Sequence, residues 1–260
     1  RIDADARAEG RGYVAQQFVH GDAAATLTAL ADALEGRLKV DPSFATDLRR
    51  AHAQAVVALS DGLGAYADLV DTVQAHAGTR FNWVRDVTVS NSTWGNRELR
   101  LLESTAGVHA LGGGIGLGLP MAIGAAVGAA AYGTGRKTIC LAGDGGFILN
   151  LGELACAVQE KADFSIVLMN DKSYGVIKNI QDVQYGGRRV YADLHTPDYA
   201  QLAQALQFEH RRASHVAEAA GLLNELALAP GGKGPKMMEV DMLSIGAFKT
   251  SFAGPPVKAA

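Results

Sequence analysis

The sequence predicts a parallel, doubly wound α/β sheet with helices on both faces. Three observations carry that prediction. Apolar runs of strand length alternate with helical patterns along most of the chain. The strand runs, such as "TICLAG" and "FSIVLMN", are continuously apolar, as strands covered on both faces require. Two of them end on carboxylates, Asp144 and Asp171, each followed by small or polar residues.

The elements are expected in this order. Residues 1–6 read as a strand end, and Ala23 to Leu34 as a helix. "KVDPSF", 39–44, contains a proline and marks a domain boundary. Two amphipathic helices follow, 44–59 and 65–77. "VRDVTVS", 84–90, is β-branched and reads as a strand ending in the polar turn "NSTWGN". The segment "HALGGGIGLGLPMAIGAAVGAAAYGTG" is a glycine-rich turn feeding a small-residue helix. Then come strand 137–142, helix 147–160, strand 164–169 and a helix from about 174. A polar loop, "QYGGRRVYADLHTPD", leads to helix 197–206, a short strand near Phe208, helix 214–228 and strand 236–242.

Composition narrows the function. The 260 residues are 48% apolar and 20% charged, enough for a sizeable core in one large domain or one domain plus a fragment. A net charge of −3, with no basic run, gives no case for nucleic acid or a membrane surface. The longest gently apolar run, Leu117 to Tyr132, is too short and too rich in glycine and alanine to span a bilayer. Cys140 and Cys156 show neither zinc spacing nor a disulfide framework and read as two reduced core thiols of a cytoplasmic protein. The charged opening "RIDADARAEGRGY" is no signal peptide. It lacks an initiator Met and reads as the end of a strand, so upstream sequence is expected.

In open α/β sheets ligands sit beyond the carboxyl ends of the strands. Asp144 and Asp171 fall there, separated by one crossover. On neighbouring strands their carboxylates repel unless a proton or a cation intervenes. A hard cation, Mg²⁺ or Ca²⁺, resolves the repulsion, and Mg²⁺ completes its shell with phosphate oxygens. Gly145 and Gly146 leave N–H groups open to such an anion. Asp-Gly is also an ordinary tight turn, so the pair, not either residue alone, carries this reading. Two other phosphate signatures fail. "GRKT" lacks a Walker loop, and in "GGGIGLGLP" Leu117 or Leu119 stands where a dinucleotide fingerprint needs glycine. A nicotinamide-dependent oxidoreductase is therefore the weaker alternative.

"GDG" at 143–145, followed after a crossover by "ND" at 170–171, resembles the thiamine diphosphate signature. "GGGIGLGLPMAIGAA" resembles the glycine-rich segment of the acetolactate synthase and benzoylformate decarboxylase group, and "STWG" at 92–95 its diphosphate-contacting turn. The resemblance covers about residues 80–245. It implies the thiamine diphosphate-binding fold, with thiamine diphosphate and Mg²⁺ as cofactors.

It also implies roles. Asp144, Asp171 and the backbone carbonyl of Ser173 would ligate the metal, Asp171 standing where many relatives have Asn. Gly143, Gly145, Gly146, Tyr174 and Gly175 would surround the diphosphate, with Thr93 and Trp94 on its other side. Gly113 and Gly114 would line the cofactor beside Ile115, whose bulk would hold it bent; a plain packing role for Ile115 is the alternative. His109 would reach the reaction centre or be structural. Val176 and Ile180 would face the substrate or form an ordinary buried face. His195, with Arg188 and Arg189, lies on a loop that is either a lid or a solvated excursion.

The implied activity is decarboxylation of a 2-oxo acid, ending in an aldehyde or in ligation to a second carbonyl. A non-catalytic thiamine diphosphate-binding module is the other alternative. Residues 1–38 resemble the remnant of a preceding middle domain plus linker, and 39–260 the pyrophosphate-binding catalytic domain with a C-terminal tail. The chain is thus expected to be the C-terminal part of a longer enzyme, or one subunit of a split one. The pyrimidine-binding and middle domains would lie elsewhere, and the complete protein would be a homodimer or homotetramer.

Overall fold

The computed structural model describes residues 1–77, 81–226 and 234–249. The chain divides into two compact units, Arg1–Ala53 and Gln54–Ala260. In the first, β1 (Ile2–Asp3) pairs in parallel with β2 (Val19–His20), and α1 (Ala23–Leu34) follows. Asp22 caps α1 by accepting from the Ala25 N–H. α2 (Phe44–Leu63) begins in this unit and ends in the second.

The second unit continues with α3 (Ala67–Ala77), β3 (Phe81–Arg85), β4 (Gly107–His109), α4 (Gly118–Ala131), β5 (Lys137–Gly143), α5 (Asp144–Phe147) and α6 (Glu153–Gln159). Then follow β6 (Phe164–Asn170), α7 (Gly175–Gln184), α8 (Tyr199–Leu206), β7 (Glu209–Ala213), α9 (Val216–Leu226), β8 (Lys236–Asp241) and α10 (Met242–Ile245). The six strands β3–β8 form one all-parallel sheet in the order β4-β3-β5-β6-β8-β7.

Period-two alternation fills both faces. Ile139 and Leu141 of β5 join Trp83, Val167 and Met238 in one core cluster, to which α3 and α9 add their apolar stripes. Cys140 and Ala142 join Val84, Ile166 and Leu168 in the other, beneath α4, α6 and α8. Four expected strands, 137–142, 164–169, the one near Phe208 and 236–242, and helix 23–34 lie within a few residues of their expected places.

Several boundaries differ. The strand expected over 84–90 spans 81–85. It ends where the Asp86 N–H donates to the Leu141 carbonyl at 2.9 Å, and residues 91–95 then wind into one wide π-type turn. β4 is three residues long and gives no periodic signal. The helix expected over 147–160 starts at Asp144 and is broken into short pieces. Cys140 is a core thiol, and burial raises its pKa. Cys156 is not: it is exposed, on the solvent side of α6.

Chain order reverses between β3 and β5. β4 lies to one side of β3, and all later strands lie to the other. At such a switch point the loops leaving the two strands part and open a crevice at the carboxyl edge. No helix among the described residues is long and apolar enough to cross a membrane.

Candidate active site

The crevice at the β3/β5 switch is a cleft of about 230 Å³. Its floor is the turn after β5, Gly143–Gly146, and the turn after β6 from Asp171 to Gly175. Val87–Ser90, after β3, and Ile115, from the glycine-rich loop, form the facing wall. The floor is polar, while Val87, Val89, Ile115, Met169, Val176 and Met242 make much of the rest apolar.

Asp144 is 1% exposed, and its Oδ2 is buried with no hydrogen-bond partner in the structure. Burial, then the charge of Asp171, push its carboxyl up to about 7. Gly143 pairs with Met169, so the two acids leave adjacent strands and interact directly. Asp171 is raised too, chiefly by burial; hydrogen bonds from Ser173 oppose the shift. One of them is the Ser173 N–H to Asp171 Oδ1 bond, 3.1 Å.

A buried carboxyl, Asp144, raised by the half-buried acid beside it, either shares a proton with that neighbour or takes a cation. No group of three or more His, Cys, Asp or Glu side chains suited to a metal occurs among the described residues. The available donors are therefore two carboxylates and backbone carbonyls, a hard-oxygen set that fits Mg²⁺ or Ca²⁺ and not zinc.

The turn holding Asp171 is fixed from outside. Ser173 bridges to Asp193, the Tyr174 N–H donates to the Ala192 carbonyl at 2.8 Å, and the Leu194 N–H donates to the Lys172 carbonyl at 2.9 Å. Part of the polar loop carrying His195 is thus tied to the site floor, although His195 itself is exposed. Arg189 is bound to Asp182 by two hydrogen bonds. Glycine is required at 175, where a Cβ would come within 2.5 Å of Asp171 Oδ2.

Asp86 escaped the sequence reading. It is 1% exposed and accepts from the N–H groups of Val87, Gly116 and Gly118 at 2.7–3.2 Å. It therefore ties the end of β3 to the glycine loop that presents Ile115. Its only sequence signal was an acid inside an apolar stretch.

Of the expected residues, Gly113, Ile115, Gly143, Asp144, Gly145, Gly146, Asp171, Ser173, Tyr174, Gly175 and Val176 line the cleft. Five do not. Gly114 lies beside the lining residues. His109 ends the edge strand β4 and faces solvent. Ile180 lies one turn too far along α7, and Ile177 lines the cleft in its place. The Thr93 hydroxyl donates back to the Val89 and Ser90 carbonyls, both at 3.0 Å.

Trp94 is turned into the core, 0% exposed, with its ring 5.7 Å from that of Trp83. The wide turn rotates it inward, and Val87–Ser90 take the place expected for "STWG". Trp94→Ala should accordingly cost about 3–5 kcal/mol of stability, as large-to-small core substitutions do. Urea unfolding measures this, and ligand binding by the folded fraction should be unchanged.

Residues 88–240, more than half of the chain, match the family model described as "Thiamine pyrophosphate enzyme, C-terminal TPP binding domain". The chain belongs to this family. This thiamine pyrophosphate-binding domain is 31% identical over 121 residues to the acetolactate synthase isozyme 1 large subunit of Escherichia coli, covering 46% of this chain and 21% of that protein. It is 28% identical over 217 residues to the acetolactate synthase large subunit of Porphyra purpurea, covering 78% of this chain and 35% of the relative. Among solved structures, the benzoylformate decarboxylase of Polynucleobacter necessarius superposes with a TM-score of 0.60 at 20% identity, over 68% of this chain and 32% of the other. The 4-hydroxybenzoylformate decarboxylase of Rhodococcus jostii RHA1 gives 0.59 at 21% identity, over 70% and 32%. These two share the fold. The domain thus spans about a third or less of the length of the relatives it matches.

Proposed function

We propose that this chain is the cofactor- and metal-holding part of a thiamine diphosphate- and Mg²⁺-dependent enzyme that decarboxylates a 2-oxo acid, with or without ligation to a second carbonyl. One observation carries the reading. The buried Asp144 carboxyl meets the half-buried Asp171 at the switch-point crevice, and Asp144 keeps an oxygen with no protein partner. An oxygen acceptor buried without a partner is costly, and a cation bound there removes the cost.

Asp144, Asp171 and the Ser173 carbonyl would hold the metal. The N–H groups at Gly145, Gly146 and Gly175 would receive the diphosphate. When bound, thiamine diphosphate supplies the nucleophilic carbon and the electron sink that decarboxylation requires.

The chain's own residues do the rest. Ile115 stands 38% exposed over the cleft, held there by a loop whose Gly116 and Gly118 N–H groups are anchored on Asp86. Val87, Val89 and Met169 would keep water from the reacting centre. Val176 and Ile177, opening α7, offer the substrate an apolar surface. Upstream pyrimidine-binding and middle domains, or a partner chain, would complete the site in a homo-oligomer.

The test is CO₂ release from a panel of 2-oxo acids by the complete protein, with thiamine diphosphate and Mg²⁺, with and without an acceptor aldehyde. Release that needs both cofactors is expected, and the 260 residues alone should give none. If the complete protein binds both cofactors but releases CO₂ from no 2-oxo acid, the catalytic reading fails and a binding module remains.

A further inference from the structure

Behind the Asp171 turn lies a buried polar chain that the proposed chemistry does not use. Asn170 ends β6, immediately before Asp171. Its Nδ2 donates to Glu239 Oε1 at 2.7 Å, and Glu239, on the neighbouring β8, is 4% exposed. The other carboxylate oxygen, Oε2, lies 3.0 Å from His210 Nε2 on the edge strand β7, where a carboxylate accepts and the ring nitrogen donates. Each oxygen of Glu239 thus has one partner, and the two partners lie on different strands.

The Asn170 bond sets which way that amide faces. With its NH₂ on Glu239, its Oδ1 is turned to the Lys172 N–H, 3.3 Å away. Lys172 sits at φ +51°, the left-handed region that non-glycine residues avoid. That one residue reverses the chain between Asp171 and Ser173, so that the Ser173 N–H can return to Asp171 Oδ1. A strained turn persists only where its surroundings over-determine it. Here residues 192–194 hold it from one side and the Asn170 amide from the other.

We infer that Glu239, itself oriented by His210, is a positioning residue that presents Asp171 and the Ser173 carbonyl to the metal by fixing the Asn170 amide. The inference rests on the metal reading proposed above. Outer partners of metal ligands are worth about 10–100-fold in affinity, so removing one should show in binding itself.

The probe is Mn²⁺, titrated by electron paramagnetic resonance into the complete protein with thiamine diphosphate present, with urea midpoints measured on each variant. Glu239→Ala should weaken Mn²⁺ about 10–100-fold. Glu239→Gln, which still offers Asn170 an oxygen and can face a neutral His210 with its NH₂, should stay near wild type while Glu239→Ala does not. Asn170→Ala should weaken Mn²⁺ at least as much as Glu239→Ala, and adding Glu239→Ala to it should cost nothing further, because Glu239 acts through that amide.

If Glu239→Ala binds Mn²⁺ as wild type does, or if the two losses multiply in the double variant, the inference is overturned while the metal site stands. A weakened Glu239→Gln with an unchanged urea midpoint overturns it as well. If the wild-type protein binds no Mn²⁺ at all, the metal reading falls and this inference falls with it.

Discussion

Asp144→Ala should abolish metal-dependent retention of thiamine diphosphate, with a loss of more than about 100-fold, since even an indirect partner of a ligand costs up to that much. The substitution removes a buried carboxylate oxygen on the cleft floor that no protein group satisfies. It also removes the negative charge that makes the Asp171 partnership unfavourable without a cation. Isothermal titration of thiamine diphosphate at saturating Mg²⁺ measures the loss. Asp144 lies in a helical turn between two glycines that stay in place, so the backbone N–H groups remain as a weak anion site. Undiminished cofactor binding by the folded variant would mean that the metal lies elsewhere.

The second large effect is on stability against pH. The Asp144 carboxyl is raised from 3.8 to about 7 in the folded protein, by burial first and by Asp171 second. The folded state therefore holds this proton more tightly than the unfolded chain does. The metal-free protein keeps its full stability below about pH 4 and loses some as pH rises towards 7, after which the loss is constant. At about 1.4 kcal/mol per unit, the shift sets a ceiling on the order of 4 kcal/mol, shared with Asp171. Asp144→Asn cannot ionise and should melt higher than wild type at pH 8, with little difference at pH 4. Saturating Mg²⁺ and thiamine diphosphate should reverse the order at pH 8, because the Asp144 carboxylate is one of the groups that would hold the cation. Thermal melts at pH 4, 6 and 8, with and without the cofactors, measure both effects. Parallel wild-type and Asp144→Asn profiles without metal would show that the Asp144 carboxyl is not raised in the folded protein.

The part of this site that could be read in the sequence is the part built on long, two-face-buried strands. Continuous apolar runs at 137–143 and 164–170 admit little but central parallel strands, and both acids follow directly. What escaped depends on which way short, aperiodic pieces turn. "VRDVTVSNSTWG" holds a strand end, a buried carboxylate, a cleft wall and a core tryptophan in twelve residues. Its polar letters do not tell that Trp94 rotates inward or that Asp86 points to backbone N–H groups thirty residues on. Ile177 and Ile180 share one helical face at i, i+3, so periodicity picks the face and not the residue nearest the cleft. Nothing in "KMMEVDM" marks Glu239, because its partners come from two other strands.

The two acids owe their meeting to the pairing of β5 with β6, and that pairing is independent of the chain that loops between them. The return passes through Glu160 and Lys161, both exposed at the far end of the crossover. Evolution is thus free to lengthen or shorten the sequence between "GDG" and "ND" at that distant bend. A search for kindred proteins should let this interval vary and hold fixed only the two strand ends.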